Sequence, residues 1–334
     1  MGLEILGMGS DLPTFELSNK FLHEQVGLER GPDWVDSRLG IQTRYSVLSP
    51  EYLVRTKNKN TAHAVAHARS NNQTPVTLGV GAAKKALASA GVRADQIGWV
   101  IASNDTPYET VPNTATLIAQ RLGIGTGPHC DVNCACSSFA RHMQLLADSK
   151  EERLPEFILC VQTSTYTIVT DYTAKSIDGY ILGDGAAAQV CSTRHQGRLK
   201  VEPLIYESQP ASADDITLDS LDHFRQDGAA VREFSIRKTC EMYESIAAQK
   251  GLYAEKVYTV AHQANYVMQD SILGHLNLPQ DRHLRNVQSQ GNIAAAGCPS
   301  VISQSLEKFH KGDQLVYAVL GAGLAWGGGY MEAR

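Results

Sequence analysis

A chain of 334 residues, 43% hydrophobic and 19% charged, carries enough apolar material for one large core or two modest ones. Its formal net charge of −5 and pI near 6.1 supply no overall attraction to nucleic acid or to an anionic membrane. No apolar run approaches the ~20 residues that span a bilayer, and the opening MGLEILGMGSDLP lacks a basic leader, so a cytoplasmic protein with neither partner is expected.

The opening LEILGMGSDLP reads as a strand ending in a Gly/Pro turn, and NKFLHEQVG carries apolar residues at helical spacing. WVDSRLGIQTRY, residues 34–45, sets a tryptophan beside two spaced arginines, a set able to stack on a base and meet phosphate, although a solvated surface turn is the plainer reading. Residues 50–74 are polar and basic, with Arg55, Lys57, Lys59, His63, His67 and Arg69, and read as a loop or a short surface helix. LGVGAAKKALASAGV is an amphipathic helix closed by Gly91, IGWVIASND a buried strand, and NTATLIAQRLGIG a helix.

GPHCDVN then leads into DVNCACSSFARHM, residues 131–143, where a strand-like segment gives way to a helix-like one at Cys136. Unpaired N–H groups and the macrodipole at a helix start favour thiolate, which makes Cys136 the candidate nucleophile and Cys134 the packing residue. The seven cysteines (130, 134, 136, 160, 191, 240, 298) show neither a disulfide framework nor a paired CxxC zinc pattern. Those in apolar strand-like runs read as small buried hydrophobes, and no metal site is expected.

Beyond it come the strand EFILCVQTS, a GDG turn at 183–185 and the strand AAAQVCS, a strand–helix alternation that predicts a mostly parallel, helix-covered sheet. The second half repeats the rhythm. A strand near 201–206 precedes a helix from about Ala229 to Gln249, the strand VYTVAHQAN, the helix VMQDSILGHLN, a glycine turn and helix in SQGNIAAAGCPSVISQSLEKF, and two closing strands joined at GAG. Two halves of similar plan are expected, 1–196 with the cysteine and an insertion at 50–74, and 197–334 with the histidine and asparagine described next.

Cys136, His262 in AHQAN and Asn292 in QGNIAAAG each fall just beyond a strand, the place where sites gather in open α/β sheets. Cysteine supplies a nucleophile, histidine a proton or a hydrogen bond, and asparagine a neutral amide donor. Singly, each has a structural reading as a turn residue or a hydrogen-bonder. Together they resemble the β-ketoacyl-acyl carrier protein synthase III family of the thiolase superfamily: DVNCACSSF, HQAN and GNIAAAGCPS match its three motifs, with GDGAAA and GAGLAWGG in order.

The resemblance implies a thiolase-like five-layered αβαβα fold, a homodimer and a decarboxylative Claisen condensation through an acyl-cysteine. Cys136 takes the acyl group, and His262 and Asn292 stabilise the enolate-like species formed when a malonyl-type extender loses carbon dioxide. The backbone N–H groups of Cys136 and Ala322 form a second oxyanion hole, in a GAG bend (Gly321, Ala322, Gly323) where the family has three glycines; alanine restricts positive φ there. Trp34, Arg38 and Asn265 fall at coenzyme A-binding positions, and Val111 and Leu182 at the acyl pocket, with Val111 in place of a bulkier residue.

Val267 and Glu233 stand where the family has docking cations, which points to coenzyme A thioesters, or a carrier protein docked differently, as substrates and to no resident cofactor. The resemblance leaves two other readings in place. One is an acyltransferase to an oxygen or nitrogen nucleophile without decarboxylation; the other is a non-catalytic partner subunit of a heterodimer.

Overall fold

The computed structural model describes residues 2–173, 175–219, 222–253 and 256–334. Its centre is a nine-stranded sheet built from β1 (Leu3–Asp11), β2 (Ile97–Asn104), β3 (Cys130–Asp131), β4 (Phe157–Thr165), β5 (Asp184–Ser192), β6 (Leu199–Ser208), β7 (Val257–Ala261), β8 (Gln314–Gly321) and β9 (Ala325–Ala333). In space they run β7-β8-β9-β6-β1-β5-β4-β2-β3. Only the β2–β3, β2–β4 and β7–β8 ladders are parallel; the remaining five are antiparallel. The expectation of a mostly parallel sheet is therefore corrected. A strand can return antiparallel through a short bend, as β8 does into β9 at Ala322–Leu324, whereas a parallel neighbour requires a crossover.

The layers follow from side-chain alternation along the strands. On β8, Leu315, Tyr317 and Val319 enter one core while Val316, Ala318 and Leu320 enter another, the period of two that a strand covered on both faces requires. On β4, Leu159 and Val161 face a third core and Ile158 and Cys160 join that of Leu315.

Helices α1 (Pro75–Ala90) and α2 (Thr114–Leu122) cover the outer face of the β1–β5–β4–β2 side. Helix α3 (Ser138–Asp148) and, further along the chain, α6 (Gly297–Ser305) lie between the two groups of strands, while α4 (Gly228–Lys250) and α5 (Tyr266–Leu276) cover the far side. This is the αβαβα order. Helix α1 lies directly on β1 because Gly9 has no side chain: a Cβ there would stand 2.4 Å from the Ala82 carbonyl oxygen.

Cys160, Cys191, Cys240 and Cys298 are buried, whereas Cys130, Cys134 and Cys136 are partly accessible. Residues 50–74 form two helices, Pro50–Thr56 and Thr61–Ser70, joined by a turn in which Lys57 and Asn58 take positive φ. Among the described residues no helix is long and apolar enough to cross a membrane.

Candidate active site

Cys136, His262 and Asn292 line one cavity of about 850 Å³. Each arrives on a different element. Cys136 follows β3 and precedes Ser137, the N-cap of α3, so it lies just ahead of the helix rather than at its first residue. Ala135 before it takes φ +48°, and the turn is held by Ser137 Oγ donating to the Cys134 carbonyl at 2.7 Å and Ser138 Oγ donating to that of Ala135 at 2.6 Å.

His262 leaves β7 with its backbone N–H donating to the Ala318 carbonyl of β8 at 2.8 Å. Asn292 is fixed by its N–H donating to the Ile181 carbonyl at 2.8 Å, and its Oδ1 accepts from Ala294 N–H at 2.9 Å. With Oδ1 engaged, the Nδ2 amide is the end left to donate into the cavity.

Electrostatics separate the three roles. Burial lowers His262 to about 4, so the imidazole is neutral at physiological pH, and its Nδ1 has no partner among the described residues. Burial pushes the Cys136 thiol up and the Asp105 carboxyl adds to the rise, while the residue's own N–H opposes it. The field of a helix start, about 0.3–1 kcal/mol at an accessible site, is smaller than the several kcal/mol that burying a charge costs. Position ahead of α3 therefore does not by itself make Cys136 a resting thiolate.

Ala322 lines the same cavity, and its φ lies outside the positive region; the left-handed demand of the GAG bend falls on Gly323, at +125°. The alanine accordingly fits without backbone strain. Gly321 is the constrained member. A Cβ there would stand 2.9 Å from Cys136 N and 3.0 Å from the Cys134 oxygen, so glycine lets β8 close over the nucleophile turn. Gly321→Ala is expected to fold and to lose about 10²-fold in the rate of Cys136 acylation, because displacing the turn misaligns the reacting atoms; timed intact-mass measurement reads this.

Leu182 and Asn265 also line the cavity, Asn265 with its Oδ1 capping α5 by accepting from Met268 N–H at 2.8 Å. Trp34 and Arg38 do not. Trp34 is half-buried with the Arg30 guanidinium 5.0 Å from its ring centre, and Arg38 is exposed at the end of the helix Pro32–Arg38, next to Leu39, which lines the cavity. Val111 is 81% exposed and outside the cavity of its own chain, while Glu233 is exposed and Val267 half-buried.

The 50–74 segment keeps most of its basic side chains in solvent but buries Leu53, Asn58, Ala64 and Ala68, and none of its residues lines the cavity. Asn58 is fully buried, and its Nδ2 donates to the carbonyls of Thr167, Ile168 and Thr170 at 2.9–3.0 Å. The Lys57 carbonyl accepts from Tyr172 N–H at 3.1 Å. The segment thereby braces the stretch after β4 that carries Tyr166, a cavity residue that no motif in the sequence marks. Among the described residues no group of three His, Cys, Asp or Glu is placed to hold a metal ion.

Fold and site together define a thiolase-like protein whose cysteine, on a strand-to-helix turn, shares a cavity with a histidine and an asparagine. Residues 247–333 match the family described as 3-oxoacyl-[acyl-carrier-protein] synthase III C terminal. The chain is 27% identical over 330 residues to a β-ketoacyl-[acyl-carrier-protein] synthase III of Bacillus pumilus (strain SAFR-032), covering 98% of this chain and 97% of that one. Solved structures share its fold, among them two synthases. They are a 3-oxoacyl-(acyl carrier protein) synthase III of Pseudomonas aeruginosa PAO1 (TM-score 0.86, 24% identity, 100% and 99% of the two chains) and the priming β-ketosynthase of the R1128 polyketide pathway (TM-score 0.84, 22% identity, 100% and 96%). Over nearly its whole length the chain is similar to β-ketoacyl-acyl carrier protein synthase III proteins, and its fold is thiolase-like.

Proposed function

We propose that the protein is an acyltransferase that moves an acyl group from a thioester onto Cys136 and condenses it with a malonyl-type or β-keto thioester, in fatty-acid or polyketide and related secondary-metabolite synthesis. The observation that carries this reading is the convergence of Cys136, His262, Asn292 and Ala322 on one cavity. In the first half-reaction the cysteine sulfur attacks the thioester carbonyl, and the N–H groups of Cys136 and Ala322 receive the oxygen that becomes negative. In the second, a malonyl thioester oxygen meets His262 and the Asn292 amide. Loss of carbon dioxide leaves an enolate-like carbon that attacks the acyl-cysteine and releases the thiol.

The substrates are coenzyme A thioesters, or carrier-bound ones docked without the two family cations, since Val267 and Glu233 give an acidic partner nothing to grip. Trp34 and Arg38 belong on this reading to the coenzyme A nucleotide end, and Asn265 to the pantetheine arm inside the cavity. The active form is a homodimer in which Val111, apolar and 81% exposed, closes the partner's acyl pocket opposite Leu182. Valine leaves room there for a medium-chain or branched acyl group.

A panel of acyl-CoA thioesters, read as mass added to the protein and followed by malonyl-CoA or malonyl-carrier protein, tests the reading. Uptake of medium or branched chains, with faster turnover of malonyl-CoA than of the carrier form, is expected. Val111→Phe is expected to narrow uptake to short chains, since a ring fills the space a longer tail needs; an unchanged profile would remove Val111 from the pocket.

A further inference from the structure

The histidine and the asparagine of the cavity lie on separate turns, and one buried side chain ties those turns together. Gln263, directly after His262, is fully buried. Its Nε2 donates to the carbonyl of Ala261, the last residue of β7, at 2.8 Å, and its Oε1 accepts from Asn286 N–H at 3.2 Å. Asn286 opens the single helical turn Val287–Gln290, which runs into Gly291 and Asn292. Gln263 itself does not line the cavity.

Both ends of this tie are stiff. On the histidine side, His262 N–H is held by the Ala318 carbonyl, and Ala264 N–H donates to the His262 carbonyl at 2.9 Å. On the asparagine side, the Asn286 carbonyl accepts from Ser289 N–H and Gln290 N–H, both at 3.1 Å, and its Nδ2 meets Gln290 Oε1, Ser300 Oγ and Gln304 Oε1 at 2.9–3.1 Å. Gly291 N–H donates to the Val287 carbonyl at 3.0 Å and closes the turn at φ +68°. A displacement of Asn286 is therefore passed on to Asn292. Other bonds between β7 and this stretch lie back along the strand at Thr259, whose carbonyl accepts from Leu284 N–H at 2.9 Å and whose hydroxyl meets His283 Nδ1 at 2.8 Å. Helix α6 forms the remaining wall, where a Cβ on Gly297 would stand 3.1 Å from the Gln263 Cβ.

From this geometry, and resting on the two half-reactions proposed above, we infer that Gln263 is a positioning residue that sets the separation of the His262 imidazole from the Asn292 amide. Both donors have to meet one thioester oxygen while carbon dioxide leaves, and misplacement of such groups by about 1 Å costs about 10²-fold in rate. An amide suits the place, because it offers a donor to a carbonyl and an acceptor to an N–H at once and carries no charge. Methionine fills a similar volume and makes neither bond. Glutamate keeps the acceptor but, when ionised, sets a second acceptor against the Ala261 carbonyl. Acyl transfer to Cys136 uses neither donor on the proposed reading, so it does not depend on Gln263.

The experiment measures both half-reactions and the melting temperature in the intact protein carrying Gln263→Met or Gln263→Glu. In Gln263→Met, kcat for carbon dioxide release from malonyl-CoA is expected to fall about tenfold with KM within about twofold, while Cys136 acylation from acyl-CoA stays within about twofold of wild type. In Gln263→Glu the loss relative to wild type is expected to be larger at about pH 8 and to shrink as the pH falls to about 5.5. Burial raises a carboxyl into that window, and the protonated acid donates to the Ala261 carbonyl as the amide does. His262, lowered to about 4, stays neutral throughout, and the residues that the Gln263 side chain meets, Ala261, Asn286 and Gly297, do not titrate.

Equal losses in the two half-reactions of Gln263→Met, following a lower melting temperature, assign the residue a structural role alone and overturn the inference, as does unaltered carbon dioxide release. A ratio of Gln263→Glu to wild type that is flat with pH overturns it as well. If one variant does not fold the other decides, and failure of both to fold assigns the structural role. A wild-type protein that takes up no acyl group, or releases no carbon dioxide, overturns the proposed function and this inference with it before any variant is measured.

Discussion

Cys136→Ala is expected to take up no acyl mass from any thioester that labels the wild-type protein, while melting within about 1 kcal/mol of it, because the side chain lost is small and half-accessible. No other cysteine can take over. Cys160, Cys191, Cys240 and Cys298 are buried. Cys130 and Cys134 are partly accessible, but neither lines the cavity. A residual acyl adduct in Cys136→Ala, mapped by peptide mass to Cys134, would transfer the nucleophile's role by two residues and remove Ala322 from an oxyanion hole defined around Cys136. This variant also decides against a non-catalytic partner subunit, for which acylation of the wild-type protein has no reason to occur.

Release of carbon dioxide from a malonyl thioester is expected to fall by about 10²–10³-fold in His262→Ala and in Asn292→Ala, the cost of removing one donor from a preorganised site. The two donors differ in how they are held. Asn292 is anchored through Oδ1 to Ala294 N–H, so its amide has one orientation. His262 has an unpartnered Nδ1 and is neutral down to about pH 4, so in the neutral range its contribution is a hydrogen bond and not a positive charge.

Uptake of the acyl group onto Cys136 is expected to survive in both variants, because the proposed first half-reaction draws on the N–H groups of Cys136 and Ala322. Full loss of acylation together with decarboxylation would place the histidine or asparagine in the first half-reaction as well. Acylation without any carbon dioxide release, in the wild-type protein, would instead favour transfer to an oxygen or nitrogen nucleophile.

Much of this protein is legible in its residues. The alternation of apolar segments with helix stops placed α1, α2, α4 and α5 close to their observed bounds, since amphipathic periodicity and left-handed caps, glycine in the first three and Asn277 in α5, are local signals. Strand direction was not legible: a hydrophobic run buried on both faces reads the same in a parallel or an antiparallel neighbour, and five of the eight ladders proved antiparallel. The basic stretch 50–74 misled for a related reason. Its cations are a local property, whereas the side chain of Asn58, the residue that matters to the cavity wall, meets three carbonyls more than 100 positions away in the chain.

The sequence alone determined the motif set DVNCACSSF, HQAN and GNIAAAG, and with it the family resemblance and the identity of Cys136, His262 and Asn292, because motifs of this kind fix residue type at a turn whose geometry is local. Tertiary structure decided what no local signal carries. It relieved the doubt over Ala322 by moving positive φ to Gly323, made Gly321 the constrained position through its approach to Cys136, and pushed the Cys136 thiol up by burial where the helix-start argument pulls it down. It also brought Tyr166 into the cavity of Cys136, with Asp105 hydrogen-bonded to it. All four depend on through-space distances and on burial, which are set when separate strands end at the same edge of one sheet.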